Sequence, residues 1–171
     1  PLLYSTHRVL AEDIGSPIAV PGWDNSQMDG YAVRAAELAE ASEDHPVVLP
    51  VSDRIPAGQV GSRLAQGSVA RIFTGAPMPE GADTVVPQEN VEVTPEGVCF
   101  KSPVREGAWV RRRGSDVPQG GVVLKKGARL TPAAIGMVAS IGRAYVKVYR
   151  RLRVGIFFSG DELVQPGEPL P

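Results

Sequence analysis

The 171-residue sequence predicts a mainly β fold, α+β at most, and three observations carry that reading. Glycine (19) and proline (16) make up more than a fifth of the chain, a share that approaches the low-complexity range. Valine-rich runs are interspersed throughout, which argues against disorder and for short strands joined by tight turns. The turns are visible as Pro56-Ala57-Gly58, Pro79-Glu80-Gly81, Pro95-Glu96-Gly97 and Glu106-Gly107. The sequences between them do not align with one another, so the turns are punctuation and not a repeat.

Taken in order, Arg8 to Ile14 is a short apolar stretch ending at Glu12-Asp13, and Ile18 to Pro21 reads as a second extended piece. The loop Trp23 to Ala32 follows, with two carboxylates, two amides, the Ser26 hydroxyl and a thioether in ten residues. Arg34 to Glu40 has good helix formers but barely two turns of length. From Val47 the pattern is β: Val47–Val51, Ser68–Phe73, Thr84–Val86, Val91–Val93, Val98–Lys101, Trp109–Arg112 and Val122–Leu124 are short apolar or alternating runs between glycines and prolines. One helix is convincing. Thr131 suits its N-cap, Pro132 its first position, Ala134, Ile135, Val138, Ala139 and Ile141 its apolar face, and Gly142 its end. Tyr145 to Tyr149 alternates as a strand. Val154 to Phe158 is a near-continuous apolar run of the kind buried on both faces in a parallel α/β sheet. That run suggests a chain entering an α/β domain of which only the start is present, and the first residue, Pro1, suggests a cut at the other end too.

A net charge of −1 gives no electrostatic footprint for nucleic acid or an anionic membrane. The single cysteine, Cys99, excludes an internal disulfide and a multi-cysteine zinc site and fits a reducing cytoplasm. There is no apolar run of transmembrane length. His7 and His45 stand apart from each other and from the cysteine, so no histidine-based metal or catalytic set is indicated.

Four stretches concentrate groups capable of chemistry. The first is the loop with Asp24, Asn25, Ser26 and Asp29, for which turn-forming side chains are the plain alternative. In the second, Phe73 to Pro77, a strand exits through Gly75, where the Thr74 hydroxyl and free backbone N–H groups could meet an oxyanion; an ordinary strand exit is the other reading. The third is Arg111-Arg112-Arg113-Gly114-Ser115-Asp116, suited to phosphate or carboxylate, or else a solvated edge. The fourth is Ser159-Gly160-Asp161-Glu162 beyond the apolar run, where strand carboxyl ends bind ligands, or else a loop with helix-capping acids.

Together these stretches are specific. Pro21-Gly-Trp-Asp-Asn-Ser-Gln-Met-Asp-Gly-Tyr-Ala-Val33, Arg71-Ile-Phe-Thr-Gly-Ala-Pro-Met-Pro-Glu-Gly-Ala-Asp83, Arg111-Arg-Arg-Gly-Ser-Asp116 and Phe158-Ser-Gly-Asp-Glu-Leu163 occur in the order seen in one family. From about Arg8 onward the chain resembles the amino-terminal half of the molybdopterin molybdenumtransferase (MoeA) family, which includes the gephyrin E domain. It departs at Phe157-Phe158-Ser159-Gly160, where Phe-Ser-Thr-Gly is commoner.

The resemblance implies short, coiled β-sheets in two interleaved lobes with one or two short helices, plus the first strand of a truncated α/β domain. Residues 1–15 and 121–150 would form a dimerisation lobe, 16–120 an inserted β-rich lobe, and 151–171 the start of a MogA-like α/β domain. The implied activity is insertion of molybdate into adenylylated molybdopterin (molybdopterin-AMP) in a magnesium-dependent step, in a cytoplasmic homodimer supplied by a MogA-type adenylyltransferase. A non-catalytic anchoring protein of the gephyrin type is the alternative, and an unrelated β-rich ligand-binding module a more distant one. Carried over by motif, Asp29, Thr74, Asp116 and Glu162 are the implied catalytic residues. Asp29, Glu162 and Asp161 are the implied Mg2+ ligands, and Ser26, Gly75, Arg112 and Arg113 contact the cofactor. The resemblance places this site between the inserted lobe of one subunit and the α/β domain of the other.

Overall fold

A computed structural model describes residues 1–169 of the chain. Eleven strands and one α-helix run in the order β1 (Ile14–Gly15), β2 (Asn25–Ser26), β3 (Gly30–Val33), β4 (Val47–Leu49), β5 (Val51–Ile55), β6 (Val69–Ile72), β7 (Thr84–Pro87), β8 (Glu92–Thr94), β9 (Gly97–Phe100), β10 (Val110–Arg111), β11 (Val122–Leu124) and α1 (Pro132–Ser140). The mainly β expectation holds, and the strands make four small sheets.

The largest sheet has the order β5-β6-β3-β7, with β3 antiparallel to both neighbours and β5 parallel to β6. All four residues of β3 are buried, because both faces of the sheet are covered. Side chains alternate along the strand, so Tyr31 and Val33 join one apolar cluster with Leu38, Val69, Val98 and Phe100. Ala32 joins a second with Ile55, Leu64, Ile72 and Val85. A third cluster lies elsewhere, where Leu2, Leu10, Ile14, Leu130, Val138 and Ile141 gather under α1. That helix starts as expected: the Thr131 hydroxyl accepts from the Ala134 N–H at 3.2 Å, with Pro132 inside the first turn.

The register of the large sheet places the polar loop. Gly30 lies opposite Ile72 on one side and Pro87 on the other. A Cβ at Gly30 would stand 2.1 Å from the Val86 carbonyl oxygen, so only glycine permits this approach. Asp29 immediately precedes β3 and Thr74 follows just beyond β6, so antiparallel pairing brings the two together.

Several local expectations are corrected. The run Val47–Val51 divides at Pro50, which has no N–H for a ladder, into β4 paired with β9 and β5 paired with β6. Ile18–Pro21 is no strand, since only Val20 bridges, to Val117. Arg34–Glu40 yields a single 3-10 turn at Ala35–Leu38, too short to nucleate an α-helix, with the Ala35 N–H taken by Asp83 Oδ1 at 2.9 Å. Tyr145–Tyr149 makes one bridge, Val148 to Leu10, and no ladder. The expected strand 154–158 is not formed among the described residues, for an apolar run becomes a strand only when another strand accepts its hydrogen bonds. Residues 170 and 171 of that expected α/β start lie outside the described residues.

Candidate active site

The loop from Asp24 to Asp29 is held from two sides. On one, β2 pairs with β10, Ser26 opposite Val110 and Asn25 opposite Arg111. On the other, Ser26 N–H donates to the Ala76 carbonyl at 3.0 Å, Gly75 N–H to the Ser26 carbonyl at 2.9 Å, and Met28 N–H to Ser26 Oγ at 3.2 Å. Gln27 N–H reaches the Trp109 carbonyl at 2.9 Å. The stretch is therefore a built element and not a free turn.

Asp29 is fixed by the end of the neighbouring strand. Its Oδ1 accepts from both the Thr74 N–H and the Thr74 hydroxyl, each at 2.8 Å. The Thr74 amide, then its hydroxyl, hold the Asp29 carboxyl below the ordinary carboxylate value; desolvation opposes them, and the Arg71 charge adds a lesser pull in the same direction as Thr74. Asp29 is thus an anion at neutral pH, and Oδ2 has no hydrogen-bond partner among the described residues.

The second polar stretch behaves differently from the sequence expectation. Gly75 does turn with φ 83°, but no free N–H row faces outward. The amides of Thr74, Gly75 and Ala76 donate to Asp29, to the Ser26 carbonyl and to the Phe73 carbonyl respectively. An oxyanion nest here is overturned because the site's own acceptors occupy its donors. Thr74 can give its hydroxyl proton to a ligand only by letting go of Asp29.

The three arginines take three roles. Arg111 pairs with Asp116, whose carboxyl is lowered mainly by that guanidinium. Arg112 Nη1 donates to Asp24 Oδ2 at 2.7 Å, while the Arg113 backbone N–H donates to Asp24 Oδ1 at 2.7 Å. The Arg113 amide is the chief reason the Asp24 carboxyl lies low, with burial opposing and Arg112 assisting. Asp24 therefore ties the loop to a segment about ninety residues away, beyond the local turn bonding that is the plain alternative for this loop. Ser26 does bond locally: its buried hydroxyl donates to the Met28 carbonyl at 2.5 Å. The Arg113 guanidinium is exposed, with no ion-pair partner among the described residues.

Asp161 and Glu162 are exposed, and among the described residues no hydrogen bond or ion pair joins them to Asp29, Thr74 or Asp116. Nor do three His, Cys, Asp or Glu side chains gather into a metal cage among the described residues. What the chain offers a magnesium ion is the free oxygen of Asp29. This fits an ion held mostly by water and substrate oxygens, which is how magnesium is commonly bound. Sequence patterns do not single out Arg71 and Gln88, which hydrogen-bond each other and the backbone beside the pair; a charged residue inside the apolar strand Val69-Ala70-Arg71-Ile72 is the available signal.

The family model for the MoeA N-terminal region (domain I and II) matches residues 1–142. The chain belongs to that family. Among its MoeA relatives, the molybdopterin molybdenumtransferase of Synechococcus elongatus is 40% identical over 171 residues, covering 99% of this chain and 42% of the relative. The enzyme of the same name from Haemophilus influenzae is 44% identical over 168 residues, covering 97% and 40%. Two crystal structures of the molybdopterin biosynthesis MoeA protein from Pyrococcus horikoshii superpose with TM-scores of 0.88 and 0.83 at 38% and 36% identity. They cover 100% and 86% of this chain and 44% and 39% of those chains. The chain thus spans about two fifths of the length of the MoeA relatives it matches.

Proposed function

We propose that this chain supplies one wall of the active site of a molybdopterin molybdenumtransferase, acting in molybdenum cofactor biosynthesis to insert molybdate into adenylylated molybdopterin. The observation that carries the reading is the Asp29–Thr74 pair. A carboxylate is fixed as an anion at an open strand end, with one oxygen spoken for and the other available. Magnesium, when bound, would supply charge neutralisation for the phosphate being cleaved. Asp29 Oδ2 would hold that ion or accept a proton from an attacking water, and Thr74 Oγ1 fixes the orientation of the carboxylate. The exposed Arg113 guanidinium, and Arg112 on release from Asp24, would face the anionic substrate. Asp116 is held by Arg111 beside them.

Among the described residues no hydrogen bond or ion pair joins Asp161 or Glu162 to this wall, and in our reading a second copy in a homodimer brings them to it. A MogA-type adenylyltransferase would furnish the substrate, and the free buried Cys99 suits a cytoplasmic setting. Among the described residues no helix is long and apolar enough to cross a membrane.

Asp29→Ala, in a full-length protein carrying this chain, tests the reading. Turnover should fall by about 100-fold or more, the usual range for losing a proton-transferring group, with the thermal melt unchanged within a few degrees. Full activity in a folded Asp29→Ala protein removes Asp29 from the site. The isolated 171-residue chain is expected to be inactive, and active cofactor made by it would overturn the two-walled site.

A further inference from the structure

Arg71 lies in β6 between Ala70 and Ile72, both essentially buried, but its own side chain leaves by the opposite face and is half-buried, and its guanidinium is tied to three acceptors. Nη1 donates to the Gly30 carbonyl at 2.8 Å and to the Ile72 carbonyl at 3.2 Å, and Nη2 donates to Gln88 Oε1 at 2.6 Å. The guanidinium also lies over two rings, 5.3 Å from the Tyr31 centroid and 4.5 Å from that of Phe73. Each partner is a near neighbour of one member of the Asp29–Thr74 pair. Gly30 and Tyr31 follow Asp29, Ile72 and Phe73 precede Thr74, and the Gln88 N–H donates to the Asp29 carbonyl at 3.0 Å. One side chain thus joins the start of β3, the end of β6 and the end of β7.

We propose that Arg71 is a positioning residue, whose guanidinium locks these three strand ends so that Asp29 and Thr74 meet at hydrogen-bond distance. Its consequence for turnover rests on the catalytic reading of that pair given above; its consequence for geometry does not. Arg54 is the internal control. It also lies over the Phe73 ring, at 4.6 Å, yet its side chain has no hydrogen bond to a strand end among the described residues. If stacking on Phe73 were what mattered, Arg54 would serve as well as Arg71.

The experiment is residue-resolved amide hydrogen exchange on the 171-residue chain, comparing Arg71→Gln, Arg71→Lys and Arg54→Gln. In Arg71→Gln, exchange at Thr74 and Gln88 should rise by about 10-fold or more while Leu10 and Leu130, in the separate cluster, are unmoved. Lysine keeps the charge but has one nitrogen where arginine uses two, so Arg71→Lys should fall between, and it serves as the reading variant if the glutamine protein does not fold. Arg54→Gln should leave Thr74 protected. Unchanged exchange at Thr74 in a folded Arg71 variant overturns the proposal, and so does a rise shared equally by every amide, which would make Arg71 a general stabiliser. In the full-length protein the same variant should lower kcat by about 10- to 100-fold, as misplaced catalytic groups do, with KM for molybdate little changed. Loss of Thr74 protection with undiminished turnover would leave the positioning role standing and reject the catalytic role of the pair.

Discussion

Two stretches of this chain look alike on paper and differ in structure. Residues 24–29 and 159–162 are both short, acidic and serine-bearing, with a glycine next to the first and inside the second, and each adjoins an apolar run. The first is bracketed by β10 and the turn after β6, and its carboxylates accept hydrogen bonds from defined partners. The second follows residues that pair with nothing among the described residues, and Ile156, Phe157 and Phe158 stand 76%, 88% and 82% exposed. The difference shows that acidic residues become a site only when strands around them fix where each oxygen points.

The largest effect should come from removing the floor beneath the first stretch. Ile72 is fully buried and lies opposite Gly30, so Ile72→Ala leaves a cavity at the end of β6, from which the chain runs on to Thr74. Its expected cost is about 2–5 kcal/mol, read as a fall in the urea midpoint. Gly30→Ala comes next. Its methyl would press on the Val86 carbonyl, which is backbone and cannot swing aside, so β3 and β7 must part at an expected cost of about 1–3 kcal/mol. A neutral result for either would mean that the first stretch does not depend on the sheet.

The sheet was legible in the sequence because glycine and proline mark its turns and its strands are apolar. The division at Pro50 was less so, since Ser52-Asp53-Arg54 has too little apolar pattern to show β5 as a strand of its own. In the site, Asp29 and Thr74 were named by motif, but their partnership comes from the register of β3 on β6, which local patterns do not encode. The reach of Asp24 to Arg112 and Arg113 was invisible for the same reason. Val154–Phe158 misled in the opposite direction, because composition reports what a segment could bury and not whether a partner is present.

A smaller and pH-dependent effect is expected at Asp24. Asp24→Asn removes a charge-assisted acceptor on a partly exposed side chain, for about 1 kcal/mol at neutral pH. The Asp24 carboxyl lies below its ordinary value of 3.8 in the folded chain, so it stabilises the fold above that value and loses its contribution as pH falls through the folded pKa. The wild-type advantage over Asp24→Asn should therefore be full near pH 7 and vanish on acidification below 3.8. An advantage that grew toward acid would reverse the sign and rule out the Arg113 amide as its cause.

Ile156→Ala should have the smallest effect, and it sharpens the comparison most. A side chain 76% exposed loses almost nothing on truncation, so the melting free energy of the 171-residue chain should stay within about 0.5 kcal/mol of wild type. In a longer protein where residues 154–158 find ladder partners and are covered on both faces, the same truncation should cost about 2–5 kcal/mol. A loss above about 1 kcal/mol in the short chain would mean that the run is already packed there, contrary to its exposure. A negligible loss in both would show that the run never becomes a core strand. Asp161 and Glu162 would then lack a fixed position from which to complete the site that Asp29 begins.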